Sequence, residues 1–179
     1  MIHPRFFGFG SLVNCATHTY PNPRPAKLSG WRRIWMPIDR DVVALSVAPA
    51  AGAVIQGLTA DVPNADWEAL DLRETGYQRH VADIEGETAE TWVYAVPGKR
   101  QTILPNHMIL QSYLDVVLQG FMIQSGEAGV RHFFETTDGW DVPVVNDREA
   151  PRYPRHQPTS AKERDLFDTM RLELVTGRQ

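Results

Sequence analysis

Residues 6–13 read Phe6-Phe7-Gly8-Phe9-Gly10-Ser11-Leu12-Val13, an aromatic-rich run that ends in a glycine-containing turn. This pattern is typical of a buried strand that leads into a tight turn. A second informative segment reads Leu70-Asp71-Leu72-Arg73-Glu74-Thr75-Gly76-Tyr77-Gln78-Arg79. Its spacing predicts the end of a short helix, with Asp71 and Glu74 on one face, followed by a strand from Tyr77. Carboxylates at such a junction face either a cleft or solvent, and the pattern alone leaves both interpretations open.

The rest of the chain alternates between predicted strands and helices. β-branched and aromatic runs bounded by Gly, Pro or Asp predict strands at residues 31–38, 42–47, 53–60, 77–84 and 91–96. A short helix is expected after Pro63 with Asn64 as its cap, and a long one from Asn106 to about Ser125. A last helix is expected to begin at Ser160, where a capping box is predicted. The order of elements indicates an α+β fold around one core.

Composition and charge exclude several classes of protein. The 179 residues carry 18 Lys and Arg against 22 Asp and Glu, and this net charge of −4 offers no positive field to nucleic acid or an anionic membrane. The longest apolar run, Val42–Ile55, is interrupted by polar and turn-forming residues, which excludes a transmembrane helix. The first residues lack the apolar stretch of a secretory signal, and the single Cys15 cannot form an internal disulfide. We therefore expect a cytoplasmic protein without nucleic-acid or membrane partners.

Three catalytic or cofactor motifs are present only in part. Gly8-Phe9-Gly10 begins like a dinucleotide fingerprint, but Val13 takes the place of the third glycine. Ser11 lacks the flanking glycines of a nucleophile elbow, which argues against a serine hydrolase. Cys15 and His18 have the spacing of half a zinc site without a second pair, so a loop or buried thiol is favoured over a metal ligand.

Several short motifs, taken in order, resemble the gamma-glutamylcyclotransferase-like family. Phe9-Gly10-Ser11-Leu12 resembles the family's Tyr-Gly-Ser-(Asn/Leu)-Leu loop. Residues 70–79 are similar to its Leu-Asp-x-x-Glu-Gly…Tyr-x-Arg segment, and particularly to the Arg-Glu-x-Gly-Gly-Tyr variant of the ChaC branch. Gly30-Trp31-Arg32-Arg33 and Val54-Ile55-Gln56-Gly57-Leu58 resemble two of its strand motifs. The resemblance extends over about residues 6–96.

This resemblance implies a fold and a reaction. The fold would be a small mixed β-barrel flanked by helices, in a single domain of residues 1–179 whose residues 141–179 form a C-terminal loop and helix extension. The reaction would be cleavage of a gamma-glutamyl amide, in which the α-amino group of the substrate attacks its own γ-carbonyl and releases 5-oxoproline. The family needs no metal and no cofactor for this chemistry.

The resemblance also assigns roles to individual residues. Glu74 would act as the general acid and base that takes a proton from the attacking amine and returns one to the leaving amine. A backbone turn can hold an anionic group or a developing oxyanion, which suits the glycine-containing loop. The residues expected to bind substrate are Phe9, Gly10, Ser11, Leu12, Tyr77 and Arg79.

Phe9 and a proline-rich segment near the C-terminus leave more than one function open. Phe9 stands where the family has Tyr, which suggests as an alternative a non-catalytic module that binds a small ligand, and simple hydrolysis of the amide is a third possibility. Arg152, Tyr153 and Arg155 lie on a proline-rich segment that either is a solvated loop or covers the pocket, with an arginine pairing a substrate carboxylate. The leaving group and the oligomeric state are not encoded in these patterns.

Overall fold

The structure is a computed structural model and describes residues 3–38, 41–98 and 102–175. Its strands are β1 (Arg5–Gly8), β2 (Arg24–Pro37), β3 (Val43–Asp61), β4 (Gln78–Ala82), β5 (Thr91–Ala95), β6 (Ile109–Leu110), β7 (Thr137–Asp138) and β8 (Val144–Val145). Its helices are α1 (Glu68–Arg73), α2 (Gln111–Glu135) and α3 (Ala161–Leu174), with 3-10 turns at Ser11–Val13, Cys15–Thr17 and Pro63–Ala65. The ends of the predicted domain, residues 1–2 and 176–179, lie outside the described residues.

A mixed sheet confirms the predicted α+β class. Six strands are hydrogen-bonded in the order β4-β5-β1-β3-β2-β7, while β6 and β8 form a separate parallel pair. β1 lies at the centre, antiparallel to the end of β3 and parallel to β5. The sheet is not closed into the expected barrel: in the described part of the chain, one isolated bridge between Leu28 and Ile84 links β2 to the segment after β4. β4 ends too early to form a longer ladder with β2.

The longest strand was expected to be two strands. The sequence predicts a break between residues 47 and 53, but β3 continues through this stretch because β2 pairs with it on both sides of an irregularity. The register shifts between Ser29 and Trp31, and Gly30 and Gly52 both have positive φ there, at 80° and 78°. A glycine adopts this conformation without steric cost, so the hairpin bends without ending.

The helix boundaries also differ from the prediction in places. α1 begins at Glu68, and Asn64 lies in the preceding 3-10 turn with a φ of 56°, so Asn64 is not its cap. α2 begins at Gln111 instead of Asn106 and continues to Glu135 through a local break at Gly126. The capping box of α3 is confirmed, with Ser160 and Glu163 bonded reciprocally. No helix in the described ranges is both long and apolar enough to cross a membrane.

The start of α2 is capped by a residue far along the chain. Asp147 accepts a hydrogen bond from the Ser112 backbone N–H at 2.7 Å and another from the Ser112 hydroxyl at 2.6 Å. Burial raises the pKa of Asp147, but the hydrogen bonds from Ser112 and from the Arg152 backbone outweigh this effect and hold the pKa below its ordinary value. The long helix is therefore fixed at its beginning by the segment that precedes α3.

The long helix also touches the backbone of the loop that follows β1. A Cβ at Gly120 would lie 2.7 Å from the Asn14 backbone nitrogen, so only glycine permits this approach. The buried Asn14 side chain donates to the Val116 carbonyl at 3.0 Å and to the Gln119 amide oxygen at 2.9 Å. These contacts fix the loop after β1 against α2, and this loop forms one wall of the pocket described below.

We expect Gly57→Ala to lower the free energy of unfolding by about 1–3 kcal/mol, the usual cost of overpacking. A Cβ at Gly57 would lie 2.3 Å from the Gly8 carbonyl oxygen and 2.5 Å from the Phe7 ring, and the first of these is backbone that cannot rotate away. Urea denaturation provides the measurement. Ala51→Val, at an exposed position on the same strand, is the control and should change stability by less than about 1 kcal/mol. Equal effects of the two substitutions would contradict the packing described here.

Candidate active site

A pocket opens at the end of β1, between the glycine-containing turn, the end of α1 and the beginning of α2. It is a small concavity with a cavity volume of about 30 Å³, and it is open to solvent at its mouth. Its lining residues are Phe7, Gly8, Phe9, Gly10, Ser11, Leu12, Leu45, Glu74, Tyr77, Tyr94 and Tyr113. The two segments that the sequence singles out thus meet at one concavity.

The turn at residues 9–12 is held at both ends through its carbonyl groups. The Arg33 Nε donates to the Phe9 carbonyl at 3.0 Å. At the other end, the Tyr20 backbone N–H donates to His18 Nδ1, so His18 Nε2 carries the proton and donates to the Leu12 carbonyl at 3.1 Å. Burial lowers the pKa of His18, which keeps the ring neutral for this role.

The middle carbonyls of the turn are satisfied as well. The Val13 N–H donates to the Gly10 carbonyl at 3.0 Å, and the Thr17 hydroxyl donates to the Ser11 carbonyl at 3.0 Å. The Ser11 and Leu12 backbone N–H groups begin a 3-10 turn, where intrahelical acceptors are lacking. The carbonyls are therefore directed into the protein, while these N–H groups are left for an acceptor outside the turn.

Arg33, which holds the turn, is fully buried and has no carboxylate partner among the described residues. Its remaining donors bind the Thr136 hydroxyl at 2.7 Å and the Gln56 carbonyl. The guanidinium carbon lies 4.8 Å from the centre of the Phe121 ring and 5.4 Å from that of Phe133. Burial lowers the pKa of Arg33 to about 9, so the group stays charged at neutral pH. Its acceptors are thus uncharged oxygens and ring faces.

Glu74 terminates α1 and directs its carboxyl group into the pocket. Its backbone N–H donates to the Leu70 carbonyl at 2.9 Å, as the helix ends, and its side chain is only 17% exposed. Burial raises the pKa of this carboxyl, and the charges of Arg73 and Arg155 together with a hydrogen bond from Arg73 oppose the shift only in part. A raised pKa suits a group that must both accept and return a proton near neutral pH.

Arg73 links the carboxyl of Glu74 to the turn. Its Nε lies 3.2 Å from Glu74 Oε1, and its Nη2 donates to the Ser11 hydroxyl at 3.2 Å. The same guanidinium also donates to the Thr17 carbonyl at 2.8 Å and to the Thr17 hydroxyl at 3.0 Å. The pair of Arg73 and Glu74, which can be interpreted from sequence as a surface ion pair, is instead a largely buried connection between the two halves of the site.

Two tyrosines meet the backbone of β3 at the side of the pocket. The Tyr77 hydroxyl donates to the Leu45 carbonyl at 2.9 Å, and Tyr113 forms a hydrogen bond with the Leu45 backbone as well. The Tyr113 hydroxyl would lie 3.0 Å from a Cβ at Gly10, so a side chain at that position would press on it. Burial raises the pKa of both phenols, and they remain neutral under physiological conditions.

Arg79 lies behind the pocket wall and not in its lining. Its Nε is 3.1 Å from Asp71 Oδ1, and its guanidinium stacks over Trp67 at 4.5 Å and Trp92 at 5.7 Å from the ring centres. Asp71 in turn accepts a hydrogen bond of 2.5 Å from the hydroxyl of Tyr94, which does line the pocket. Arg79 thus contacts the site through Asp71 and Tyr94.

The structure brings most of the predicted site residues together and adds others. Glu74 shares the pocket with Phe9, Gly10, Ser11, Leu12 and Tyr77. Arg73, Tyr94 and Tyr113 were not expected in the site, because the residues around them in the sequence give little indication of it. Both ring nitrogens of His18 are engaged and Cys15 is exposed, and the described residues contain no group of three or more metal-ligating side chains.

The proline-rich segment before α3 lies beside the pocket. The Tyr153 ring packs edge-on against Tyr113, with ring centres 5.0 Å apart. Arg152 instead pairs with Asp41 at 3.1 Å on the surface. Part of this segment therefore adjoins a lining residue of the pocket, whereas the side chain of Arg152 is directed elsewhere.

Comparisons with known proteins agree with this architecture. Residues 6–112 match the family described as gamma-glutamyl cyclotransferase, AIG2-like. A solved structure named gamma-glutamyl cyclotransferase is 12% identical with a TM-score of 0.56, over 92% of this chain and 98% of that one. The uncharacterized protein loc79017 from Homo sapiens is 13% identical with a TM-score of 0.57, over 92% and 97%. No curated protein matches.

A further similar structure is longer than this chain. YkqA from Bacillus subtilis is 19% identical with a TM-score of 0.57, over 76% of this chain. The chain spans 56% of the length of YkqA. At such identities the structural likeness establishes the fold, and the match over residues 6–112 establishes the family. The chain belongs to the AIG2-like gamma-glutamyl cyclotransferase family.

Proposed function

We propose that this protein is a cyclotransferase that releases 5-oxoproline from a small gamma-glutamyl substrate, with Glu74 as general acid and base. One observation supports the proposal most: the buried carboxyl of Glu74 lies in the same small pocket as a turn whose Ser11 and Leu12 N–H groups have no hydrogen-bond acceptor in the described part of the chain. Intramolecular cyclisation requires these two parts, namely a group that transfers protons and a rigid site that binds the substrate.

The atoms balance without any further reactant. The α-amino nitrogen attacks the γ-carbonyl carbon to form the lactam bond, and the bond from that carbon to the leaving nitrogen breaks. The α-ammonium loses two protons in becoming the lactam N–H, while the leaving nitrogen gains two and departs as an ammonium ion. Glu74 is the group in the pocket lining that can accept and return these protons.

The turn contributes by positioning. Because its carbonyls are bound to Arg33, Val13, Thr17 and His18, the Ser11 and Leu12 N–H groups keep a fixed direction. A substrate carboxylate or a developing oxyanion held there would be bound by donors that need no reorganisation. A substrate bound in a folded-back conformation would have its attacking amine held close to its γ-carbonyl. This proximity accounts for a large part of the acceleration of an intramolecular step.

An α-N-acetylated substrate tests the cyclisation directly. We expect gamma-glutamyl-alanine to give 5-oxoproline and alanine, and its N-acetylated form to give no product because the attacking nitrogen is blocked. Mass spectrometry identifies the products. Turnover of the acetylated form to linear N-acetylglutamate would indicate hydrolysis, and binding of both compounds without turnover would indicate the non-catalytic module that Phe9 suggests.

The pH dependence of activity follows from the position of Glu74. Because burial raises its pKa, the carboxyl stays protonated up to a higher pH than an ordinary glutamate, whose pKa is about 4.3. The base form is therefore lost as pH falls through the raised pKa. We expect the acid limb of kcat/KM to lie clearly above pH 4.3, and a limb at or below about this value would contradict the proposed environment.

Other parts of the assignment stay predictions. These are the ChaC-like branch, the cytoplasmic location, and the organisation as one domain whose residues 141–179 form an extension. Direct contact of Arg79 with the substrate also stays a prediction, and its contacts with Asp71 and Trp67 favour a supporting role through Tyr94.

A further inference from the structure

A tight turn beside the pocket presents an arginine at its tip. The His156 N–H donates to the Tyr153 carbonyl at 3.0 Å, which closes a β-turn with Pro154 and Arg155 at its two central positions. Proline at the first central position fixes the backbone of such turns. Arg155 is therefore held on a rigid backbone, although its side chain is exposed.

The β-turn of residues 153–156 is anchored to α2, the helix that contributes Tyr113 to the pocket lining. The Tyr153 N–H donates to the Ser112 hydroxyl at 3.2 Å, and the Tyr153 ring packs against Tyr113 with ring centres 5.0 Å apart. Ser112 is in turn bonded to Asp147 at 2.6 Å. The position of the turn relative to Tyr113, and so to the pocket, is set by several independent contacts.

The two neighbouring arginines differ in what they bind. The Arg152 guanidinium is occupied by Asp41 at 3.1 Å and by the Met108 sulfur at 3.3 Å. The Arg155 guanidinium forms no hydrogen bond or ion pair with any residue in the ranges that the structure describes. Its charge nevertheless acts on Glu74, where it opposes the rise in pKa. Arg155 is thus an unpaired cation within electrostatic reach of the proposed catalytic carboxyl.

Arg155 does not line the inner pocket. If the glutamyl part occupies the pocket between the turn of residues 9–12 and Glu74, only the group beyond the scissile amide extends to the mouth. A carboxylate there is the natural partner of a free guanidinium, which binds it with paired donors. A leaving amine without a carboxylate would gain nothing from this contact.

We propose that Arg155 selects substrates whose leaving group bears a carboxylate, so that the preferred class is gamma-glutamyl amino acids or peptides and not gamma-glutamyl alkylamines. This inference rests on the proposed cyclotransferase function. Arg155 lies outside residues 6–112, the segment that matches the family.

A matched pair of substrates and a matched pair of variants test the proposal. Gamma-glutamyl-alanine and gamma-glutamyl-ethylamine differ only in the leaving carboxylate. We expect Arg155→Gln to lower kcat/KM for gamma-glutamyl-alanine by about tenfold or more, mainly through KM, and to leave gamma-glutamyl-ethylamine nearly unchanged. Arg152→Gln, the control, should alter neither value because its guanidinium already has partners.

The outcomes separate this proposal from the function on which it rests. If the wild type forms 5-oxoproline from neither compound, the proposed function itself fails. If the wild type acts on both and Arg155→Gln leaves the ratio of the two kcat/KM values unchanged, the selection by Arg155 is wrong while the cyclotransferase stands. An equal loss for both substrates would likewise overturn the proposal, since it would place Arg155 at the glutamyl part.

Discussion

Glu74→Gln is expected to reduce the rate of 5-oxoproline release by about 10²–10⁴-fold, the usual contribution of a positioned general acid and base. Glutamine keeps the size and polarity of the side chain but cannot carry the proton. The substitution should leave KM within a few-fold, because in the proposed mechanism the turn of residues 9–12 and not Glu74 binds the substrate. Initial rates over a range of substrate concentration give both values.

Stability separates this effect from misfolding. Because burial raises the pKa of Glu74, its ionised form is the less favourable one in the folded protein, and that cost is present at neutral pH. Glu74→Gln should therefore melt at the same temperature as the wild type or higher. Glu68→Gln, exposed on the same helix, should leave both activity and melting unchanged. Activity of Glu74→Gln within tenfold of wild type would exclude the proposed role.

Arg148→Met should lower the free energy of unfolding by about 3 kcal/mol, which corresponds to a fall of about 6–12 °C in Tm. The Arg148 guanidinium lies between two carboxylates, with Nε 2.7 Å from Asp115 and Nη1 2.7 Å from Asp168. The Asp115 side chain is only 4% exposed, so loss of the arginine leaves a buried negative charge without its partner. Denaturant unfolding of both proteins measures the difference.

Two further variants make the test specific. Arg152→Met removes an exposed ion pair with Asp41 and should cost no more than about 1 kcal/mol. Adding Asp115→Asn to Arg148→Met removes the unpaired charge and should recover part of the lost stability. If the two arginine variants are equally stable, or if the second substitution brings no recovery, Arg148 does not hold the C-terminal segment to α2 in the way described.

The sequence could predict the parts of the fold that depend on local patterns. The turn at residues 9–12, the carboxylate at the end of α1 and the capping box at Ser160 all follow from neighbouring residues. The single long β3 was missed because its continuity depends on pairing with β2. The start of α2 was placed too early because its cap is Asp147, far along the chain.

The site shows the same division between local and distant information. Glu74 and the turn could be predicted because each belongs to a recognisable motif. Tyr113 and Tyr94 enter the pocket from α2 and β5, and nothing in their immediate sequence indicates a shared cavity. Leu72, an apolar side chain of α1, is 77% exposed, whereas Leu70 on the same helix is fully buried, and this difference depends on how the helix packs against the sheet.

Identification of the product is the most direct test of the central claim, that a buried carboxyl beside the turn drives cyclisation. Wild-type protein and Glu74→Gln are incubated in parallel with gamma-glutamyl-alanine, and the glutamyl product is identified by mass, since 5-oxoproline is lighter than glutamate by one water molecule. We predict that the wild type forms 5-oxoproline and alanine in equal amounts and that Glu74→Gln forms almost none. Linear glutamate from the wild type, or undiminished 5-oxoproline from the variant, would contradict the account.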